Sequence, residues 1–153
     1  MKKILLIVCC VISCQAYSQE NNTENYNPRT NHPFGLNLNF FGPSILGLSA
    51  DYYVNPKTNI ELGIGLFGLF GGGTYHFKES NNYKWTTYVG LFAQHVFEIG
   101  FSNENSTNDD IRNGIYIPLG LQYLNEDGIT FRIELATGTI IKLYGGLKFG
   151  YHF

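Results

Sequence analysis

The chain has 153 residues, enough for one domain and too few for several. Charged residues make up 14% of it, against about 25% in a soluble domain, and aromatics make up 16%, so something other than charge has to cover the outside. The formal charge is −2 with no basic cluster, which argues against nucleic acid as a partner, and no apolar run is long enough for a membrane-spanning helix.

The first residues read as an export signal. Met1-Lys2-Lys3 is a basic start, Ile4 to Ile12 is a short apolar stretch, and Ala16-Tyr17-Ser18 is a small-x-small cleavage site that would leave Gln19 first. A rival cut stays open, because Val11-Ile12-Ser13-Cys14 resembles a lipobox that would make Cys14 a lipidated N-terminus. All three cysteines, Cys9, Cys10 and Cys14, lie in this segment. After the ordinary cut the mature chain has no disulfide, no Cys metal site and no Cys nucleophile, and its formal charge is lower by the two lysines lost. Residues 19–33 are polar and Asn-rich, with Pro28 and Pro33 as breakers. Such a segment buries too little apolar surface to order itself, so it is expected to be a flexible periplasmic lead-in.

From Phe34 onward the period is two. Phe34, Leu36, Leu38 and Phe40 share one face of a first strand. After a Gly42-Pro43 turn, Leu46, Leu48, Ala50, Tyr52 and Val54 alternate with Gly47, Ser49, Asp51 and Tyr53. Asn55 to Thr58 forms a turn, and Ile60, Leu62, Ile64 and Leu66 alternate with Glu61, Gly63 and Gly65. The fourth strand is blurred by Gly71-Gly72-Gly73. The Gly68-to-Gly73 run reads as a hairpin tip, because a phosphate loop would need a following Lys-Ser/Thr and a helix. A fifth strand starts at Trp85, a polar acidic connection covers residues 100–113, and a sixth strand runs from Ile115 to Tyr123. Asn125 to Gly128 is a hairpin turn of the Asp-Gly type, followed by Ile129, Phe131, Ile133 and Leu135 on one face. The last strand places Ile141, Leu143, Leu147, Phe149, Tyr151 and Phe153 on its apolar face. Eight strands of roughly 9–12 residues result, the length that crosses a bilayer when tilted.

Alternation alone does not say which face is outside. The polar face is rich in glycine (Gly35, Gly47, Gly63, Gly65, Gly90, Gly120, Gly146, Gly150) and poor in charge, which does not suit a water-facing sheet. The interior of an eight-stranded barrel is just wide enough for side chains to fill, and there small residues are wanted. The Gly-rich face is therefore assigned to the lumen and the apolar face to lipid. Asp51, Glu61, Glu98 and Glu134 fall on the lumen parity with Lys78, Arg132, Lys142 and Lys148, a balanced set as a packed interior requires.

The closing strand, with aromatic residues at alternate positions up to Phe153, resembles the C-terminal strand of Gram-negative outer-membrane barrels. The whole of 34–153 is similar to the family of small eight-stranded outer-membrane β-barrels, such as the OmpA membrane domain and OmpX. That resemblance implies an all-β, antiparallel up-and-down transmembrane barrel in the outer membrane. Phe149, Tyr151 and Phe153 would then be the signal read by the barrel-assembly machinery. The implied partners are outer-membrane lipid and that machinery, with a monomeric state, no cofactor and no metal. Glu104, Asp109, Asp110 and Arg112 become candidate contacts of an outer loop, for an extracellular ligand the sequence does not identify.

An enzyme of this family would resemble the lipid A deacylases, which carry a His-x-Ser motif. His76 is followed by Phe77 and Lys78, and His95 by Val96 and Phe97, so neither supplies the serine and a non-enzymatic role is expected. Three readings remain. They are an outer-membrane barrel with a structural or surface-interaction role and a plugged polar lumen, a small transporter or gated pore using the lumen charges, and a soluble periplasmic lipid-binding barrel, which needs an apolar lumen.

Overall fold

The computed structural model describes residues 27–42, 46–79, 84–97, 112–140 and 142–153. A single helical turn, α1 (Pro28–Asn31), precedes eight strands: β1 (Phe34–Phe40), β2 (Leu46–Asn55), β3 (Thr58–Gly65), β4 (Gly68–His76), β5 (Trp85–Val96), β6 (Arg112–Leu124), β7 (Ile129–Gly138) and β8 (Tyr144–His152). Each strand pairs antiparallel with the next in sequence, and β8 returns to pair with β1, so the sheet is a closed up-and-down barrel. This is the architecture expected from the alternation.

The turns at the end that carries α1 are built by side chains that mimic backbone. Asn55 Oδ1 accepts from both Lys57 N and Thr58 N at 2.9 Å, closing the β2–β3 hairpin. Asn125 Oδ1 accepts from Ile129 N at 2.7 Å in the β6–β7 hairpin. Gly128 in that turn has φ +88°, and a Cβ there would run into the carbonyl of His152, so only glycine suits the position.

Every strand sends alternate residues inward, and the two faces differ in chemistry. Leu48, Ile60, Leu62, Ile64, Leu91 and Leu135 are exposed on the outer wall. Asn37, Asp51, Glu61, Thr74, Arg132 and Lys148 are buried in the lumen. Outward aromatics gather toward the α1 end. Phe34 lies opposite Tyr52, and the ring centroids of Trp85 and Tyr123, Phe131 and Phe149, and Tyr151 and Phe153 lie 5.2, 4.6 and 4.9 Å apart. The recorded ladder between β5 and β6 skips the pairs between Val89↔Leu119 and Phe92↔Tyr116. Pro118, which has no N–H to donate, sits in that gap.

Two expectations need correction here. The Gly68-to-Gly73 run is strand rather than hairpin tip; the turn lies at Leu66 and Phe67. The glycines serve packing, since a Cβ on Gly72 would collide with the backbone of Leu91 and Phe92 and with the Phe92 ring, and one on Gly63 would collide with the Phe70 ring. Of the lead-in expected to be flexible, residues 19–26 lie outside the described residues, and 27–33 are built against the barrel. Asn27 caps α1 by accepting from Arg29 N at 3.0 Å, Pro28 opens the turn, and Arg29 is buried against the barrel. Forming a first turn fixes several residues for very few hydrogen bonds, so a single turn does not hold by itself and the barrel end holds it.

Candidate functional site

The lumen divides into three levels. At mid-height β2, β3, β7 and β8 bring charge together. Arg132 Nη2 donates to Asp51 Oδ2 at 2.6 Å and Nη1 to Glu61 Oε2 at 3.1 Å. Lys148 Nζ lies 3.1 Å from Glu61 Oε1 and 3.6 Å from Glu134 Oε2. Tyr88 OH donates to Glu134 Oε2 at 2.8 Å, and Asn37 Nδ2 donates to Asp51 Oδ1 at 2.7 Å. The Gln122 amide completes the set with its oxygen facing Arg132 Nε at 3.0 Å. The registers place these atoms together. Asp51 pairs with Glu61 across β2–β3, Arg132 with Lys148 across β7–β8, and Glu134 with Gly146. Each charge is desolvated and each is answered, the condition under which buried ions persist.

At the α1 end the lumen is closed by Arg29. Its Nη1 donates to the carbonyl oxygens of Pro56 at 2.8 Å and Lys78 at 3.0 Å. Its Nη2 meets His76 Nδ1 at 2.9 Å and donates to Thr86 Oγ1, while the guanidinium lies 5.3 Å from the centroid of the Tyr53 ring. Burial pulls the Arg29 pKa down from its ordinary value, but an arginine stays a cation throughout the physiological range.

At the opposite end the lumen is aromatic. Phe92 and Tyr116 stack at 4.9 Å, with Phe70 at 6.2 Å from Phe92 and Tyr144 at 5.9 Å from Tyr116. Lys148 Nζ lies 5.6 and 5.4 Å from the Phe70 and Phe92 rings, which joins this cluster to the charged level through cation–π attraction.

Of the charges that parity assigns to the lumen, Asp51, Glu61, Arg132, Glu134 and Lys148 come together. Lys78 lies past the end of β4, half-buried at the barrel mouth. Lys142 is exposed in the bend before β8 and offers its carbonyl to Thr137 Oγ1 at 2.8 Å. In both cases the alternation was extended beyond the strand that enforces it. Glu98, Glu104, Asp109 and Asp110 lie outside the described residues, and Arg112 opens β6 opposite Val96. Among the described residues the buried carboxylates are Asp51, Glu61 and Glu134, and the buried lysine and arginine cations are Arg132, Lys148 and Arg29. The balance expected of the interior therefore closes through Arg29, which sequence reading missed. Asn27-Pro28, a helix-start pair, was the signal that would have marked it.

Phe149, Tyr151 and Phe153 are all exposed on the outer wall, and Phe153 N donates to Phe34 O at 2.7 Å. On the same wall, toward the aromatic end, a shallow groove of about 820 Å³ runs over Leu62, Leu69, Gly71, Ala93 and Ile115. Its polar edge is the pair His95 and Asn113, joined at 2.8 Å. Among the described residues no serine or carboxylate lines that groove.

No family model matches the sequence, and no curated protein matches it. Among solved structures the chain is similar to the N-terminal β-barrel domain of Pseudomonas aeruginosa OprF, with a TM-score of 0.58 and 19% identity over 80% of this chain and 98% of that one. At that identity the likeness is one of fold, and it agrees with the closed eight-stranded antiparallel barrel described above.

Proposed function

We propose that the chain is an integral outer-membrane barrel with a structural or surface-interaction role. The observation that carries this is the inversion of its faces, with exposed leucine, isoleucine and aromatic residues around the outer wall, while Asp51, Glu61, Arg132, Glu134 and Lys148 on the strands all turn into the lumen. Water does not solvate such a wall well, and hydrocarbon does. The aromatic residues near the α1 end fit a belt at the membrane–water interface. On this reading α1 and the short hairpins face the periplasm, the signal at 1–18 directs export, and the connection between β5 and β6 lies on the outer side, where it would contact an extracellular ligand. Phe149, Tyr151 and Phe153 would be read by the barrel-assembly machinery, and the barrel would act as a monomer without catalysis. The soluble lipid-binding alternative loses support, because its lumen would have to be apolar, and this one holds Arg132, Lys148 and Glu61.

The test is gel mobility with and without boiling, on the protein from an outer-membrane fraction. A folded barrel that resists SDS and shifts on boiling supports the proposal. A protein in the aqueous fraction that shows no shift overturns it. A second reading, a gated pore, is favoured by one detail, namely that Lys148 is shared between Glu61 and Glu134 and so has two acids to choose from. Planar-bilayer conductance that changes on Glu134→Gln would support it, and absence of conductance would remove it.

A further inference from the structure

Three of the contacts of Arg29 come from strand residues that the closed sheet holds in place without it. Pro56 and Lys78 offer carbonyl oxygens from the barrel rim, while His76, Thr86 and Tyr53 belong to β4, β5 and β2. These hydrogen-bonding partners lie 27 to 57 residues along the chain from Arg29, so they form no local motif with α1. None of the hydrogen-bonding partners is a carboxylate. Two carbonyls, an imidazole nitrogen and a hydroxyl surround the planar fork, and a phenol face covers it. That donor-matched geometry selects a guanidinium over a rounder ammonium, which lacks the planar fork and its spread of donors. The helix that delivers Arg29 is one turn long and does not stand by itself.

We infer that the α1 end of the lumen is a guanidinium-binding site, filled in cis by Arg29, and that it accepts a free alkylguanidinium or the arginine of a basic peptide when residues 27–33 withdraw. The two ligands are mutually exclusive, since one fork saturates both carbonyls. The inference does not rest on where the barrel resides. A withdrawn Arg29 also leaves Asp51, Glu61 and Glu134 against Arg132 and Lys148 alone, so the site attracts a replacement cation.

The test is chemical rescue of the full chain refolded in detergent. Arg29→Ala is expected to lower the melting temperature by several degrees. Ethylguanidinium at millimolar concentration should restore most of that loss in a saturable way, and ethylammonium at equal ionic strength should not. The wild-type melting temperature should respond to neither ion, since Arg29 already fills the site. A folded Arg29→Ala protein that ethylguanidinium leaves unchanged, or a wild-type response of equal size, overturns the inference. If Arg29→Ala does not fold, a spin label on Thr30→Cys, with Cys9, Cys10 and Cys14 replaced by serine, gives the same decision. Thr30 is exposed and outside the site. Saturable mobilisation of the label by ethylguanidinium but not by ethylammonium supports competition for the site. A label that is mobile from the start, or that stays immobile throughout, overturns it.

Discussion

Arg132 and Ile133 are neighbours in β7 and lie on opposite faces of the barrel wall. Arg132 is 1% exposed, with Asp51, Glu61 and Gln122 on its three nitrogens, and Ile133 is 44% exposed on the outer wall. The inner face is built on specific partners, in which the charged groups of Asp51, Glu61, Arg132 and Lys148 depend on one another's positions. The outer face is a surface that need only be apolar. A change inside should therefore cost according to what it leaves unpaired, and a change outside, if the proposed location holds, according to what it puts into hydrocarbon.

The sharpest contrast is Arg132→Met. It strands Asp51 and Glu61, and breaking a buried pair costs about 3–5 kcal/mol. Urea unfolding of the barrel in phospholipid vesicles should show that loss. The triple change Arg132→Met, Asp51→Asn, Glu61→Gln should recover most of it, because it removes the charges together with their partners. Next in size is Leu62→Arg. Leu62 is 72% exposed at the middle of β3, and an arginine at the bilayer midplane costs about 2–4 kcal/mol. A negligible effect in vesicles would mean that this wall meets water and would count against the proposed location. Tyr88→Phe removes one donor from the Glu134 carboxylate, an expected loss of about 1–3 kcal/mol in the same assay. Leu48→Ile on the outer wall should stay within about 0.5 kcal/mol, as surface changes do. A loss above about 1.5 kcal/mol there would exceed what repacking Leu to Ile costs even in a core, and would point to a tightly fitted protein partner on that wall.

The comparison also explains what was legible. The period of two identifies both faces, since a one-residue slip would expose every inward residue at once. The glycine-rich composition of one face then says which side is the lumen. What parity cannot give is where a strand stops. Lys78 and Lys142 continue the alternation and yet lie beyond β4 and before β8, where no ladder orients them. It also cannot give a partner from outside the strands. Arg29 enters from a segment whose polar composition reads as unstructured, and only the acceptors at the barrel mouth make it part of the interior. The Gly68-to-Gly73 run misled for a related reason. In the strand Gly72 answers the bulk of Phe92 and Gly71 that of Leu62 across the sheet, contacts no local window contains.

The pairing of β1 with β8 has a consequence for how the chain is made. Every other strand contact joins neighbours in sequence, and β1 gains β2 as soon as both exist, but its other side waits for β8, where Gly35 meets His152. Until then the sheet has two raw edges, and such edges template pairing between chains. Synthesis thus carries a long interval of aggregation hazard that ends only with the final strand. A chain truncated before Tyr144 would keep β1 and β7 unpaired on one side each, and it would be expected to associate with its own copies rather than to persist as a smaller barrel.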